Sequence, residues 1–321
     1  MRALALLVVA GCTTFEDPTI VLDLRVIGMT TTAPEQVVDV PLDHPPTVDD
    51  LTRQMFPSLV EAEAADPAQA RSLRWSMRAC LLDDNFRCDP ARPQAELDSG
   101  VIDDPERSGV EMRTFVPVDG LTPILIDSFE QDPLHGLGGI DYAIGLQVGG
   151  VDDDPALDVL AFKQMRVSAR LPASRMPNRN PELGGIQMSR ENGEEIVLIE
   201  RQCAPEPLIE SLVSVRPGEK VLFFPVETVD VHETYPAATI DGTFKTITES
   251  ISYQWLAGAG KFQDESTGGA ADVFGNVKLV GTHWTAPSLD QLRTPVVQVW
   301  IIQRDERYGV KIHRLCLAVT S

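Results

Sequence analysis

The sequence predicts an all-β protein made of two tandem antiparallel β-sandwiches with few short helices. The length of 321 residues is that of two ordinary domains. The 23 Gly and 24 Pro residues are spread along the chain and predict frequent turns. Between those turns, short segments alternate apolar and polar residues, which is the pattern of strands that bury one face. Regularly spaced short strands of this kind favour antiparallel sandwiches.

The composition excludes some classes of function. With 27 basic and 48 acidic residues, the net charge is −21, which disfavours DNA or RNA because phosphates would be repelled. No apolar stretch reaches the roughly 20 residues that span a bilayer. Hydrophobic residues make up 43% of the chain, which is enough to form buried cores.

The first residues predict export and lipid attachment. Arg2 precedes an apolar run that ends in small residues, so residues 1–11 are predicted to be a signal peptide and residues 12–18 a tether. The sequence Val9-Ala10-Gly11-Cys12 resembles the lipobox of bacterial lipoproteins. The resemblance implies cleavage before Cys12, fatty acylation of that cysteine and, because Thr13 follows it, placement in the outer membrane. The alternative is an ordinary signal peptide with a chance cysteine.

The other cysteines predict disulfides. Cys80, Cys88, Cys203 and Cys316 are an even number in a chain predicted to be exported, which favours two bridges with three possible pairings. The turn residues between Cys80 and Cys88 favour a local bridge, which leaves Cys203 for Cys316. Zinc is disfavoured because the sequence contains no Cys-x-x-Cys.

In the first half, strands are predicted at 19–29, 37–40, 73–82, 110–118, 140–148 and 160–169. Residues 58–65 fit either a helix that begins with a capping box or an alternating strand. Residues 123–129 fit a helix, and the Asp-, Pro- and Gly-rich residues 83–109 are predicted to be a long loop.

The second half is predicted to begin after a linker. Residues 172–181 contain three prolines and two asparagines, so they are predicted to join a domain at 19–171 to a domain at 182–321. Apolar segments then occur at 184–188, 196–202, 208–215, 220–228, 247–256, 273–280, 296–303 and 310–319. Each half has a Trp-bearing strand near its middle, at Trp75 and Trp255, and each ends in two strands joined by a turn.

Parts of the second half resemble known surface domains. Segment 252–262, the sequence His283-Trp284-Thr285-Ala286-Pro287 and segment 296–310 resemble immunoglobulin-like and PKD-like domains of bacterial surface proteins. This likeness implies that the sandwiches are immunoglobulin-like. Segments 17–26, 74–80 and 177–186 are also similar to lipoproteins of myxobacteria and their relatives. Such sandwiches host many activities, so the resemblance implies a fold rather than a function.

Few residues suggest chemistry. The sequence contains no Gly-x-Ser-x-Gly, no His-Glu-x-x-His and no phosphate-binding glycine motif, and we therefore expect no enzyme activity and no cofactor. Acidic loops offer the oxygen ligands that calcium takes, and the candidates are Asp152, Asp153, Asp154 and Asp158. Solvated acidic turns are the favoured interpretation of these residues, because their spacing is not that of an EF-hand.

The sequence therefore predicts a non-enzymatic envelope lipoprotein that serves as a scaffold or adhesive surface. Its expected partners are the membrane, through Cys12, and proteins of the cell envelope, with residues 83–109 as the favoured partner site. One alternative is a surface protein that binds calcium or carbohydrate. The other is a secreted hydrolase with a site between the domains, near residues 172–181.

Overall fold

The computed structural model describes residues 17–40, 47–67, 71–103, 109–133, 136, 138–203, 209–239 and 243–321. The fold is all-β, with two sandwiches whose strands pair mainly antiparallel, as predicted. We call residues 25–169 module 1 and residues 183–319 module 2. Among the described residues, no helix has the length and apolar character needed to cross a bilayer.

Module 1 packs a sheet of three strands against a sheet of five strands and a helix. The elements are β1 (Arg25–Thr31), β2 (Glu35–Val38), α1 (Val48–Thr52), β3 (Ser58–Ala65), β4 (Leu73–Cys80), β5 (Ala95–Ile102), β6 (Val110–Val116), α2 (Val118–Gln131), β7 (Ile140–Gly150) and β8 (Val159–Ala169). The strand orders are β1-β3-β6 and β2-β8-β7-β4-β5. Both sheets and helix α2 contribute to one apolar core.

Module 2 is built from two sheets of five strands and a separate hairpin. Its strands are β9 (Leu183–Arg190), β10 (Glu195–Leu198), β11 (Val213–Val215), β12 (Lys220–Glu227), β13 (Thr234–Ala238), β14 (Phe244–Thr248), β15 (Ser252–Ala257), β16 (Lys261–Phe262), β17 (Ser266–Gly268), β18 (Thr282–Thr285), β19 (Val296–Arg304) and β20 (Val310–Val319). The sheet orders are β10-β9-β12-β18-β16 and β11-β20-β19-β15-β17, and β13 pairs with β14.

The two modules share a topology. The last strand of each module, β8 or β20, lies inside a five-stranded sheet. One of its neighbours is the preceding strand of the chain, β7 or β19, and the other is a strand from earlier in the module, β2 or β11. The early strand pairs with it in parallel, as β2 does with β8 and β11 with β20. The last two strands pair antiparallel, in register from Ile140↔Val167 in module 1 and from Val296↔Ala318 in module 2. The strands of Trp75 and Trp255, β4 and β15, therefore occupy equivalent places.

The cores differ in composition. Trp255, Trp284 and Phe223 are fully buried in module 2, with ring centroids of Phe223 and Trp255 6.4 Å apart. Trp75 lies at the edge of the module 1 core, which is filled mainly by aliphatic and methionine side chains. Module 2 therefore buries two indole rings in its core, whereas module 1 buries apolar side chains of α2 in its core and leaves Trp75 only partly buried.

One sequence-based prediction is wrong, and one apolar segment of the sequence forms no strand. Residues 83–109 are not one long loop, because β5 lies within them and pairs with β4 as an edge strand. Its exposed outer face explains the polar composition that suggested a loop. Residues 273–280 form no strand, because Gly275 adopts a positive φ of 83° in a turn closed by Asp272 and Asn276.

Other predictions are confirmed. The ambiguous segment 58–65 is a strand, since Ala62 and Ala64 pack in the core between β1 and β6. The helix expected at 123–129 is part of α2, and the final hairpin forms as predicted. The hairpin of β13 and β14 was not predicted, because most of its residues are polar or only partly buried.

The N-terminal segment and the linker are both fixed on other parts of the chain. Val21 N donates to the Ala257 carbonyl and Ala257 N to the Thr19 carbonyl, each at 2.8 Å, so residues 19–21 lie against module 2. The linker 172–181 has no regular structure, as expected, but Asn178 within it is buried. The linker therefore belongs to the interface between the modules.

Candidate functional site

The interface between the modules begins with an apolar contact. Its side chains come from both modules and form a cluster of their own: Val21, Ile27, Ala65, Leu256, Trp300, Ile302 and Ile312. A Cβ on Gly28 would lie 3.0 Å from Ile312 Cδ1, so the glycine lets β1 approach β20 closely. The sandwiches thus bury apolar surface against each other.

A buried carboxylate lies beside this cluster. Glu63 on β3 is 1% exposed and accepts hydrogen bonds from Trp300 Nε1 and Arg314 Nε, each at 2.7 Å. Burial raises the pKa of Glu63 although the charge of Arg314 opposes the change. Both donors come from module 2, and each bonds a different oxygen of Glu63. The carboxylate therefore links the two modules through both of its oxygens.

Arg307, in the turn between β19 and β20, is the centre of a larger charged cluster. The side chain is 7% exposed, and its guanidinium donates to Glu35 at 3.1 Å, to Glu233 at 2.9 Å and to Glu249. Its face also lies over the ring of Tyr235, 4.2 Å from the centroid. Arg307 therefore links β2 of module 1 to two loops of module 2.

The linker completes the surroundings of Glu35, which is 2% exposed. Glu35 accepts from Ser168 Oγ and Arg175 Nη2, each at 2.6 Å, and from Asn178 N at 3.0 Å. Asn178 Nδ2 in turn donates to the Arg307 carbonyl at 3.0 Å. The linker is therefore a fixed connection, because its side chains and backbone are hydrogen-bonded to both modules.

Two carboxyl groups of this cluster have shifted pKa values. Burial alone would raise the pKa of Glu35, but the hydrogen bond from Ser168 and the charge of Arg175 lower it below its usual value. Burial raises the pKa of Glu249 to about 7 against the opposing charge of Arg307, and nearby Asp305 and Glu233 add to the rise. The cluster therefore holds a carboxyl group that titrates near neutral pH.

A cavity of about 330 Å³ lies between the modules next to this cluster. It is lined by residues of β1 and β8 from module 1, and by residues of β15 and the β19–β20 hairpin from module 2. Lys163, 3% exposed, lines it and donates to the Tyr308 carbonyl. Burial and the charge of Arg304 lower the pKa of Lys163 to about 7, although Asp305 opposes them.

The backbone at this cavity is strained. Tyr308 has a φ of 76°, a left-handed conformation that costs a residue with a bulky side chain on the order of 1–3 kcal/mol. Its ring lies under Arg166, with 5.2 Å from the guanidinium carbon to the centroid, and its hydroxyl lies 3.2 Å from Asp141. The ring and the Lys163 contact together hold the turn in this conformation.

The four calcium candidates have different surroundings in the structure and do not form one site. Asp153 pairs with Arg71, and Asp158 pairs with Arg74 at 2.6 Å and accepts from Gln147 at 2.8 Å. Asp154 caps a short 3-10 turn by accepting from Ala156 N at 3.0 Å, while Asp152 is exposed. Within the described ranges, no three His, Cys, Asp or Glu residues converge in a way that could hold a metal ion.

The cysteines pair as the sequence favoured. Cys80 is bonded to Cys88, and Cys203 to Cys316, with Cα atoms 5.4 and 5.1 Å apart. The first bridge closes the turn before β5, and the second joins the segment between β10 and β11 to β20. Cys12 lies outside the described residues.

Sequence reasoning did not find the interface residues. Arg304 to Gly309 were assigned only as a hairpin turn, and Glu35 had no assigned role. The signal that could have drawn attention to them is the concentration of charges in a turn between two very apolar strands. The partners of these charges lie far away along the chain, so the pairing itself has no local signature.

Comparisons with known proteins add little to this geometry. No family model matches the chain, and no curated protein is similar to it in sequence. Among solved structures, a red sea bream transglutaminase aligns with 94% of this chain and 32% of its own length, at 9% identity and a TM-score of 0.25. A likeness this weak carries no argument about function.

Proposed function

We propose that the protein is a membrane-anchored lipoprotein of the bacterial envelope that acts without catalysis, as a rigid surface for a protein partner. The buried interface between the modules carries this proposal. It combines an apolar cluster with charged groups that are paired across the interface. Such an interface fixes the spacing and orientation of the loops on the two modules, which is the property a scaffold needs.

The position of the N-terminal segment supports anchoring through module 2. Asp17 pairs with Lys261 at 2.8 Å, and residues 19–21 lie along the end of β15. Asp17 follows Cys12 by five positions, and a chain of that length spans at most roughly 18 Å. A lipid on Cys12 would therefore hold the Lys261 end of module 2 close to the bilayer. The two disulfides support an exported location.

An exposed apolar loop supports partner binding. Residues 269–281 connect β17 to β18, and Phe274 and Leu279 in this loop are 86% and 84% exposed. Val273 and Val277 are exposed beside them. Clustered exposed apolar side chains mark interaction surfaces. The loop leaves β17 at Gly268, which pairs with Ser252 at the opposite end of β15 from Ala257. We therefore place it on the side away from the bilayer.

Lipid attachment is tested on the chain expressed in a bacterium that processes lipoproteins. We expect the chain to incorporate a palmitate analogue and to sediment with membranes, and we expect mass spectrometry to find an acylated N-terminal Cys12. The control variant Cys12→Ser should remain unlabelled. An unmodified Cys12 in a chain that retains Met1 contradicts the anchor.

Partner binding is tested by photo-crosslinking in intact cells. A benzophenone amino acid replaces Phe274, Val101 on the exposed edge strand β5, or Met176, which is an exposed apolar residue outside both surfaces. We expect a discrete adduct from Phe274 and none from Met176. An adduct from Val101 alone would move the partner site to the 83–109 segment. Equal adducts from all three positions would contradict a specific surface.

A further inference from the structure

The cavity between the modules carries more positive than negative charge in a chain whose net charge is −21. Arg25, Lys163 and Arg304 line it, and Asp305 is the acidic residue among its lining residues. The oxygens of Asp305 accept from Arg307 N, Gly309 N and Asn178 Nδ2 at 2.7 to 3.0 Å. Asp305 is therefore committed to its own turn and neutralises the cavity only in part.

Two of these cations have hydrogen-bond donors to spare. The ammonium of Lys163 has three donors, and the structure assigns one contact, to the Tyr308 carbonyl. Among the described residues, no carboxylate pairs with Arg304, and burial alone lowers its pKa. A partly desolvated cation without a counter-ion is costly, so an anion that enters this cavity would relieve that cost.

The remaining lining selects the kind of anion. Val26, Met29, Leu256 and Val310 line the cavity beside the two cations, so roughly half of the lining is apolar. The volume of about 330 Å³ lies at the lower end of the roughly 300–1,000 Å³ of small-molecule sites. The lining therefore suits a small molecule with one charged end and an apolar body.

We infer that this cavity binds a small organic carboxylate, with the carboxylate held by Lys163 and Arg304 and the apolar body held between β1 and β15. Neither module forms the site alone, because Lys163 comes from module 1 and Arg304 from module 2. Binding therefore strengthens the contact between the modules. The inference is independent of the lipid anchor and of the exposed loop.

The test is calorimetric titration of the purified full-length protein with benzoate, benzamide, acetate and inorganic phosphate. We expect saturable binding of one benzoate with a Kd below about 1 mM, and at least tenfold weaker binding of benzamide and acetate. Absence of benzoate binding overturns the inference. Equal binding of benzamide overturns the role of charge, and phosphate binding as tight as that of benzoate overturns the role of the apolar body.

Variants locate the binding. We expect Lys163→Met and Arg304→Gln each to weaken benzoate binding at least about tenfold. The matched controls Lys311→Met and Arg53→Gln change exposed cations outside the cavity and should stay within about twofold of the wild-type Kd. Arg304→Gln keeps the test decisive if Lys163→Met fails to fold. Benzoate binding that survives both cavity variants unchanged contradicts the site.

A pH series gives an independent readout. The charged groups that act on Lys163 are Arg304 and Asp305, and Arg25 also lines the cavity. A bound carboxylate favours the protonated amine of Lys163, whose pKa in the empty cavity is about 7. We therefore expect benzoate affinity to fall up to tenfold for each pH unit above 7, with proton uptake on binding at pH 8. Affinity that is constant from pH 6 to 9 contradicts the role of Lys163.

Discussion

The interface contains two neighbouring polar sites, the Arg307 cluster and the cavity, and their arginines differ in whether a carboxylate pairs with them. Arg307 is surrounded by Glu35, Glu233 and Glu249, whereas Arg304, at the start of the same turn, lies beside Lys163 without a paired carboxylate among the described residues. Carboxylates of the protein itself thus pair with the Arg307 guanidinium. In the cavity, the cationic donors of Arg304 and Lys163 remain available to a ligand. We interpret the first as a structural lock and the second as a place for a ligand.

The same contrast appears in their titrating groups. Each site holds one group whose pKa is about 7, an acid in the cluster with excess carboxylates and a base in the cavity with excess cations. In both, burial is the largest cause and neighbours of like charge add to it. The two shifts have opposite signs, so the two sites should contribute opposite slopes to stability as the pH changes.

The largest expected change in stability comes from Arg307→Ala, which is compared with Arg304→Ala. Arg307→Ala leaves the buried carboxyl groups of Glu35 and Glu249 and the partly buried one of Glu233 without their common partner, and should lower the free energy of unfolding by about 3–5 kcal/mol. Arg304→Ala removes a desolvated cation without a paired carboxylate and should change that free energy by less than about 1 kcal/mol. Urea denaturation of both variants provides the comparison. Equal losses would mean that the two sites do not differ as described.

Glu249→Gln should change the pH dependence of stability. The pKa of Glu249 in the folded protein, about 7, exceeds the unfolded value of 4.5, so between these values the folded state holds a proton that the unfolded state releases. Wild-type stability should therefore fall, relative to that of Glu249→Gln, by up to about 3 kcal/mol from pH 5 to pH 8. Denaturation at several pH values measures this difference. A constant difference would show that Glu249 is ionised throughout.

Lys163→Met should produce the opposite slope. The pKa of Lys163 in the folded protein, about 7, lies below the unfolded value of 10.5, so the unfolded state binds more protons between them. Wild-type stability should rise, relative to that of Lys163→Met, by up to about 3 kcal/mol from pH 7 to pH 9.5. The control Lys311→Met should show no such rise. A falling or flat difference for Lys163→Met would place a charged, compensated lysine in the cavity.

A steric change at the apolar contact should have the smallest effect. A Cβ on Gly28 would press on Ile312, so Gly28→Val should cost about 1–3 kcal/mol by overpacking. A Cβ on Gly138 meets nothing within 4 Å, so Gly138→Val is the matched control. Thermal unfolding compares the two variants. Equal melting temperatures would mean that β1 and β20 are not in close contact in solution.

The fold was largely predictable because its signals are local. Alternating apolar residues located most strands, and the short spacing of Cys80 and Cys88 favoured their bridge. Strand β5 was missed because an edge strand exposes a face to water and therefore has the composition of a loop. The segment 273–280 is apolar but forms no strand, because Gly275 and Asn276 lie in a turn within it.

The interface was not predictable because its pairs are distant in sequence. Glu35 and Arg307 are 272 residues apart, and nothing in either neighbourhood indicates the other. The acidic residues 152–158 show the same limit, because Asp158 meets Arg74 from a strand 84 residues earlier. Such charges suggest metal ligands until the fold supplies their partners.

The central claim is that the two modules behave as one rigid body, and a distance measurement tests it most directly. Spin labels on unnatural amino acids at Ser99 and Glu195, which are exposed on β5 and β10, report the separation of the modules. We predict one narrow distance distribution in the wild type, which broadens when Arg307→Ala is combined with Trp300→Ala. A broad or multiple distribution in the wild type would show that the modules move independently, and would contradict the account.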